Sequence, residues 1–118
     1  MTAHVDTFAR DNLPPRAQWP DFRFELPELN YPDRMNCVVE LLDRWIAEGR
    51  GNAPCLISPN DTLSYAQLAE RVNRIANVLT RVLGVVPGHR VLLRGPNSPM
   101  MVAAYLAVIK AEIGRAHV

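Results

Sequence analysis

The residue types that could do chemistry are present in this sequence of 118 residues, but few of them have the spacing of a known site. There is no phosphate-binding loop of the type G-x-x-x-x-G-K-[ST], no G-x-G-x-x-G after a predicted strand and no G-x-S-x-G nucleophile turn. The carboxylates of Asp43, Glu48, Asp61 and Glu70 are scattered over predicted polar faces. We interpret them as solvated surface groups rather than as the general acid and base of an enzyme.

The best local candidate for a ligand site is the loop Gly95-Pro96-Asn97-Ser98, which follows a predicted strand and opens a predicted helix. Helix N-termini bind anions through their free amides and the helix dipole. However, Ser98 as an N-cap and Pro99 at the first helical position explain the same residues without a ligand, and proline has no amide to offer. We therefore favour a structural role for the loop, and we interpret Met100 and Met101 as core residues.

Neither the cysteines nor the histidines have the spacing of a metal site. Cys37 and Cys55 form no C-x-x-C pair, and His4, His89 and His117 are far apart in the sequence. A zinc site needs about four ligands in close-set pairs. We expect both cysteines to be reduced and structural, because no secretory signal favours a disulfide.

The composition excludes several classes of protein. A hydrophobic content of 48% predicts a packed core and not a disordered chain. Thirteen basic and 12 acidic residues give a net charge of +1, which leaves no electrostatic footprint for nucleic acid or an anionic membrane. No run approaches the roughly 20 apolar residues of a membrane span. We expect a cytoplasmic protein with no nucleic-acid partner and no membrane partner.

The elements that must position these groups begin at residue 36. Residues 36–48 have the pattern of a helix that Asn36 can cap, with glycines at its end. Its predicted apolar face is narrow and consists of Val38, Leu41, Leu42, Trp45 and Ile46. Residues 53–58 and 62–64 are predicted to form the two strands of a small hairpin, because a Pro-Asn-Asp turn separates them.

The longest pattern predicts an amphipathic helix over residues 63–83. Ser64 can be its N-cap and Gln67 can reach back to the Ser64 amide, which makes a capping box. Glu70 and Arg74 form a favourable pair on the polar face, and Gly84 offers the stop. The apolar residues recur at helical spacing and form one stripe: Leu68, Val72, Ile75, Ala76, Leu79, Val82 and Leu83.

A second unit of strand, turn and helix follows. Residues 90–94 are a short apolar run between charges and are predicted to be a buried strand. Residues 100–111 form a helix that is apolar nearly all round, which indicates burial on more than one side. The order of helix, small β-hairpin, amphipathic helix, strand and buried helix predicts the α/β class, in which a further strand should follow directly.

The two ends of the chain differ from this core. Residues 1–35 are punctuated by prolines and interleaved with aromatic residues, so we expect an extended arm laid over a globular surface, with a short helix around residues 5–12. The alternative is a proline-rich ligand for a recognition domain, although no P-x-x-P repeat occurs. Residues 112–118 can be encoded by a nucleotide run that contains the start of a widely used sequencing-library adapter. Our hypothesis is that these residues are adapter read-through.

Two short motifs carry a resemblance to a known family. Residues 63–68, L-S-Y-A-Q-L, resemble L-[TS]-Y-x-[EQ]-L, the first core motif of the adenylate-forming superfamily of acyl- and aryl-CoA ligases, luciferases and peptide-synthetase adenylation domains. Ile109-Lys110-Ala111 is similar to the start of its second core motif, [LI]-K-A-G, and the match breaks at Glu112. Between them, G-x-R-V-L-L-R-G-P-N-S-P-x-M resembles the aryl-CoA ligases related to 2-aminobenzoate–CoA and benzoate–CoA ligase, as does the N-terminal T-A-H-V-D-T-F-A-R-D-N-L-P-P.

The resemblance implies both a fold and a reaction. The chain is expected to be an arm (residues 1–35) followed by an incomplete N-terminal part of the large adenylate-forming domain (residues 36–111), which the rest of the parent chain completes. ATP and an aromatic carboxylate would give an acyl-adenylate and pyrophosphate with Mg²⁺, and coenzyme A would then take the acyl group as a thioester. In this family a Ser/Thr/Gly-rich loop ending in P-K-G and a lysine of the C-terminal domain do this chemistry, and neither region is in this sequence.

No catalytic, cofactor-binding or metal-binding residue can be carried over from the family. Lys110 belongs to the second core motif, but the resemblance implies that this motif is architectural. We expect the chain alone to be inactive. Two alternatives stay open: an adenylation domain of a peptide or siderophore synthetase, which a downstream carrier-protein domain would favour, and a non-catalytic interaction module with the arm as its binding element. Cooperative unfolding of residues 1–111 would favour the module.

Overall fold

A computed structural model of the protein describes residues 11–30, 32, 35–112 and 114–116, the last three by their backbone alone. The predicted α/β class and the predicted order of elements are confirmed. Two 3₁₀ turns, Arg16–Gln18 and Pro27–Leu29, precede the core. The core elements are α1 (residues 37–50), β1 (Pro54–Ile57), β2 (Thr62–Ser64), α2 (Tyr65–Asn77), β3 (Arg90–Leu92), α3 (Pro99–Lys110) and β4 (Gly114–Ala116).

The strands form two separate pairs. β1 and β2 are the predicted antiparallel hairpin, with Ile57 opposite Thr62 and Leu56 opposite Leu63. β3 and β4 are parallel and are connected through α3, as an α/β unit requires. The hairpin leads directly into α2, because Ser64 is both the last residue of β2 and the N-cap of the helix.

At the start of α2, each of the four backbone amides from Ser64 to Gln67 donates a hydrogen bond within the chain. The Gln67 amide donates to the Ser64 hydroxyl (3.2 Å), and the Ser64 amide donates to the Gln67 side chain (2.9 Å), so the predicted capping box is confirmed. The Tyr65 amide donates to the carbonyl of Ala53 (3.2 Å) and the Ala66 amide to that of Gly51 (2.9 Å). These four groups are the donors that a helix leaves unsatisfied at its N-terminus.

Replacing Ser64 by alanine should weaken this helix measurably, because the cap is a short-range interaction within the helix. In a synthetic peptide of residues 60–84, Ser64→Ala should cost about 1 kcal/mol of helix stability, measured by circular dichroism at low temperature. The matched control is Asn73→Ala on the exposed face, which should keep or raise the helical content because alanine is the better helix former. Equal helicity of the Ser64→Ala and unaltered peptides would contradict the capping role.

The core lies where α1, β2, α2 and α3 meet. The first half of the predicted stripe of α2 faces inward, with Leu68 and Val72 almost completely buried. They pack in one cluster with the small residues Ala103 and Ala107 of α3, which let two helices approach closely. The other buried members are Val38 and Leu42 of α1, Leu63 of β2 and Ala69 of α2.

α1 has the predicted position and cap but a different winding. The Val38 amide donates to the Asn36 side chain (3.1 Å), which confirms Asn36 as the cap. Two stretches, Val39–Asp43 and Ile46–Arg50, are π-helical. The wider turn rotates Leu41 away from Val38, and the Leu41 side chain is 62% exposed. The prediction that Leu41 lies on the apolar face was therefore wrong, whereas Val38 and Leu42 are fully buried.

Several apolar side chains that the sequence pattern placed in the core face solvent. The π-helical stretch Val78–Val82 continues α2. At the end of this stretch, the side chains of Val82 and Leu83 are 74% and 64% exposed. β3 has the predicted place but is not a buried strand, because Leu92 is 58% exposed and only Val91 is half-buried. α3 buries Ala103, Ala107 and Val108 and leaves Met100 exposed. The described residues supply no second layer to cover these positions.

Several apolar side chains in the described part of the N-terminal arm are exposed. Phe22, Phe24 and Leu26 are each more than half exposed, and Trp19 and Phe22 pack edge to face with ring centroids 6.1 Å apart. The Arg16 guanidinium lies 4.7 Å from the centre of the Trp19 ring. Trp19, Phe22 and Phe24 thus contact one another, and the arm laid over a globular surface stays a prediction. The helix predicted around residues 5–12 falls almost wholly outside the described residues.

Candidate functional site

The loop before α3 is the place where the sequence suggested a ligand, and its contacts are those of a helix start. The Ser98 hydroxyl accepts from the Met101 amide (3.3 Å), and Pro99 occupies the first helical position. Gly95 lies so close to the helix that an added Cβ would be 2.8 Å from the methyl carbon of Met101. The predicted structural role of Ser98 and Pro99 is confirmed.

The scattered carboxylates each have a basic partner. Glu48 pairs with Arg44 (2.9 Å) within α1, and Glu70 pairs with Arg74 within α2, as the sequence predicted. Asp61 in the hairpin turn lies 3.5 Å from Arg71. The fourth carboxylate, Asp43, lies 2.7 Å from Lys110 of α3. Each of the four carboxylates is thus engaged in an ion pair within the chain.

Lys110 has a role that sequence reasoning missed, since it joins the two ends of the core. Its ammonium group contacts the Asp43 carboxylate, and these side chains are only 22% and 31% exposed. Its carbonyl accepts from the Asn36 side-chain amide (3.2 Å). Asn36 thus caps α1 with its oxygen and holds the last turn of α3 with its nitrogen. The second core motif therefore contributes contacts that close the core.

The Asp43–Lys110 pair should contribute more to stability than the exposed pair of α2. A double-mutant cycle with Asp43→Asn and Lys110→Met, read out by urea unfolding of the parent enzyme, should give a coupling free energy of about 1 kcal/mol. The matched control is the cycle for Glu70 and Arg74, which is exposed and should give about 0.3 kcal/mol. A coupling for Asp43–Lys110 no larger than the control would show that it does not fasten α1 to α3.

A depression of about 340 Å³ opens beside the end of α3. It is lined by Asn73, Ala76, Asn77, Thr80, Lys110 and Ala111. Its polar groups are largely engaged within the chain: the Thr80 hydroxyl donates to the Ala76 carbonyl (2.9 Å), and the charge of Lys110 is met by Asp43. The lining supplies no other charged group, so it has no unneutralised cation for a phosphate or a carboxylate.

The second residue after α3, Glu112, has a backbone conformation that favours glycine. The Ala111 amide donates to the Ala107 carbonyl (3.0 Å), the Glu112 amide donates to the Ile109 carbonyl (2.9 Å), and Glu112 has φ of 58°. Helices commonly end with a glycine in this left-handed conformation, in which a side chain is strained. It is the position at which the second core motif has glycine and this chain has glutamate.

The two cysteines are both free thiols, as predicted, but their surroundings differ. Cys37 at the start of α1 is exposed, whereas Cys55 in β1 is half-buried. Burial raises the pKa of the Cys55 thiol, and a hydrogen bond with Tyr65 opposes this with a smaller effect. Since the folded protein then holds the thiol proton more tightly than the unfolded chain, the free energy of unfolding should fall as the pH rises past the ordinary pKa of a thiol.

Alkylation should distinguish the two thiols. Because the thiolate is the reactive form and Cys55 is shielded and harder to ionise, Cys37 should react with iodoacetamide at pH 8 about tenfold faster or more. Peptide mass spectrometry after timed quenching measures both rates in one sample. The control is the same reaction in concentrated urea, where the two rates should converge. Equal rates in the folded chain would contradict the burial of Cys55.

Other kinds of site are not found in the described part of the chain. Among residues 11–30, 32, 35–112 and 114–116, no three His, Cys, Asp or Glu side chains are grouped as a metal would require. His4 and His117 lie outside these residues. In the same part of the chain, no helix has both the length and the apolar character that a membrane crossing demands.

Comparison with known proteins gives a family match over most of the core. The sequence profile of the family described as AMP-binding enzyme matches residues 42–116, which is more than half of the chain. This range includes both core motifs, α2, α3 and the Asp43–Lys110 contact. No solved structure matches the chain with significance.

The curated relatives include ligases for aromatic acids and for acetate. The chain is 34% identical over 83 residues to the 3-hydroxybenzoate–CoA/4-hydroxybenzoate–CoA ligase of Thauera aromatica, which is 70% of this chain and 16% of the relative. It is 31% identical over 87 residues to the benzoate–CoA ligase of the same organism, and this region is 74% of this chain and 16% of the relative. It is 38% identical over 109 residues to the acetyl-coenzyme A synthetase of Streptomyces avermitilis, and this region is 88% of this chain and 15% of the relative. The chain therefore spans about a sixth of the length of these relatives.

Proposed function

Because the chain belongs to the family of AMP-binding enzymes, we propose that it is the N-terminal part of an ATP-dependent, AMP-forming ligase that joins an aromatic carboxylate to coenzyme A. The observation that carries the proposal is the family match over residues 42–116. The relatives named for benzoate and hydroxybenzoates support the aromatic substrate. 2-Aminobenzoate and benzoate are the substrates that we propose, and the cytoplasm is the proposed location.

The contacts of the described core support a scaffold role for these residues rather than a role in binding ATP, Mg²⁺ or coenzyme A. The first four amides of α2 are all hydrogen-bonded within the chain, so that helix offers no donors to a phosphate. The core carboxylates Asp43, Glu48, Asp61 and Glu70 are each paired with a basic side chain. We therefore assign no step of the reaction to these residues, and we propose that their role is to build the scaffold of the nucleotide-binding domain.

The parent enzyme tests this proposal directly. The continuous genomic reading frame should be expressed and assayed for pyrophosphate release with ATP, Mg²⁺ and coenzyme A. We expect benzoate, 2-aminobenzoate or a hydroxybenzoate to give a kcat/KM at least about tenfold above that of acetate, because an aryl pocket gains from burying the ring. Acetate as the best substrate would overturn the aromatic specificity, and release with none of these acids would overturn the ligase itself. The 118-residue chain is the control and should release no pyrophosphate.

Two other functions make different predictions. An adenylation domain of a peptide or siderophore synthetase would form the acyl-adenylate but pass the acyl group to a carrier protein rather than to free coenzyme A. A non-catalytic interaction module would need no further chain, so residues 1–111 would unfold cooperatively and give dispersed amide resonances. The family match over residues 42–116 supports the ligase over the module.

We also propose that residues 112–118 are adapter read-through and that the natural chain continues differently after Ala111. The left-handed backbone of Glu112 supports this proposal, because the natural motif would place a glycine there. The family match through residue 116 and the pairing of β4 with β3 count against it. Genomic DNA that encodes the same seven residues within a longer coding frame would contradict it.

Replacing Glu112 by glycine should relieve the backbone strain at position 112, whether or not residues 112–118 are natural. In the 118-residue chain, Glu112→Gly should slow hydrogen exchange of the amides in the last turn of α3 about fivefold, because glycine adopts a positive φ without steric cost. Glu112→Ala is the matched control and should give no such slowing, since its Cβ clashes with the backbone as that of glutamate does. Mass spectrometry measures the exchange of both variants, and equal slowing in the two would assign the effect to the lost charge instead.

A further inference from the structure

Residues 21–26 have the alternating pattern of a half-buried β-strand. Phe22, Phe24 and Leu26 alternate with the charged residues Asp21, Arg23 and Glu25. Strict alternation over six residues is typical of a strand with one face on a core and one face in water. The prolines at positions 20 and 27 lie just outside the pattern, where they do not interrupt a strand.

The backbone geometry agrees with this pattern. The rings of Phe22 and Phe24 are nearly parallel, with centroids 6.0 Å apart and an angle of 5° between their planes. Side chains two residues apart in a strand lie on the same face at about this separation. Leu26 also has extended dihedral angles (φ −79°, ψ 133°). The segment is therefore extended, with its apolar side chains on one face.

A strand requires a neighbouring strand for its backbone hydrogen bonds and a core for its apolar face. Residues 21–26 have neither among the described residues. Within the described residues, the backbone groups of residues 21–25 make no hydrogen bond to other backbone groups. Phe22 and Phe24 are each 58% exposed and Leu26 is 60% exposed. An extended segment with free backbone groups and an exposed aromatic face is suited to pair with the edge of a sheet.

We propose that residues 21–26 form an edge strand of a sheet in the remaining part of the parent enzyme, with Phe22, Phe24 and Leu26 buried against it. The choice of the parent enzyme as the partner of this apolar face rests on the proposed function. The relatives are about six times longer than the region that they share with this chain, so a parent of that length has further chain that could supply the sheet. A partner in the same polypeptide is present at high effective concentration. The charged face keeps Asp21, Arg23 and Glu25 in water.

Hydrogen exchange in the full-length parent tests the pairing. An edge strand bonds through alternate residues only, so alternate amides of residues 21–26 should exchange about 100-fold more slowly than their neighbours. Mass spectrometry with electron-transfer fragmentation resolves single amides. In the 118-residue chain the same amides should exchange at nearly the unprotected rate. Unprotected exchange throughout this segment in the parent would overturn the proposal.

Paired substitutions test which face is buried. In the parent, Phe22→Ser with Phe24→Ser should lower Tm by about 4 °C or more, whereas Arg23→Ser with Glu25→Ser on the opposite face should change it by about 1 °C or less. An equal loss from both pairs would overturn the assignment of the faces. If the phenylalanine variant does not fold, the exchange pattern of the unaltered parent still decides.

Two further measurements separate this proposal from its rivals. The amides of residues 21–26 could instead become protected from exchange in the 118-residue chain, more so at higher protein concentration, while light scattering reports a dimer. The partner of the apolar face would then be a second copy of the chain, and the proposal would be wrong. Pyrophosphate release from the same parent preparation is measured independently. Protection without ligase activity would overturn the proposed function alone, and activity without protection would overturn the edge strand alone.

Discussion

The junction between the hairpin and α2 is the constraint from which the rest of the core follows. Ser64 ends β2 and caps α2, and the carbonyls of Gly51 and Ala53 accept from the next two amides of the helix. A helix start buried without such partners would cost free energy for each unpaired amide. With this start satisfied, α2 has a fixed direction from the hairpin, and Leu68 and Val72 on its inner face meet the alanines of α3.

The two core motifs of the family can now be explained physically. The first, residues 63–68, supplies a buried leucine at each end and the capping box between them. The second supplies Lys110, which binds α1, and a position after the helix where the backbone favours glycine. The first motif is therefore the start of α2 and the second is the end of α3, and each includes the side chains that attach that helix end to the core.

Short-range signals in the sequence predicted much of this fold. The capping box, Ser98 followed by Pro99, the Asn36 cap and the hairpin turn each involve residues within a few positions, so their geometry is determined locally. The contact of Asp43 with Lys110 spans 67 positions and depends on how α1 and α3 pack, which no local pattern specifies. Its place in the second core motif marked Lys110 as architectural, but the motif did not name Asp43 as its partner. Leu41 was misplaced because the π-helical winding of α1 is not visible in its periodicity.

The second half of α2 has a practical consequence for handling the protein. Val78, Val82 and Leu83 are 48%, 74% and 64% exposed on one helical end, and Val86 just beyond is 50% exposed. Apolar surface of this kind attracts any other apolar surface that it meets, so the yield of the purified chain would be set by colloidal behaviour rather than by the strength of its core. Low protein concentration, cold storage and a mild detergent would weaken these contacts. Polar replacements at Val82 and Leu83 would do the same without touching the capped start of the helix.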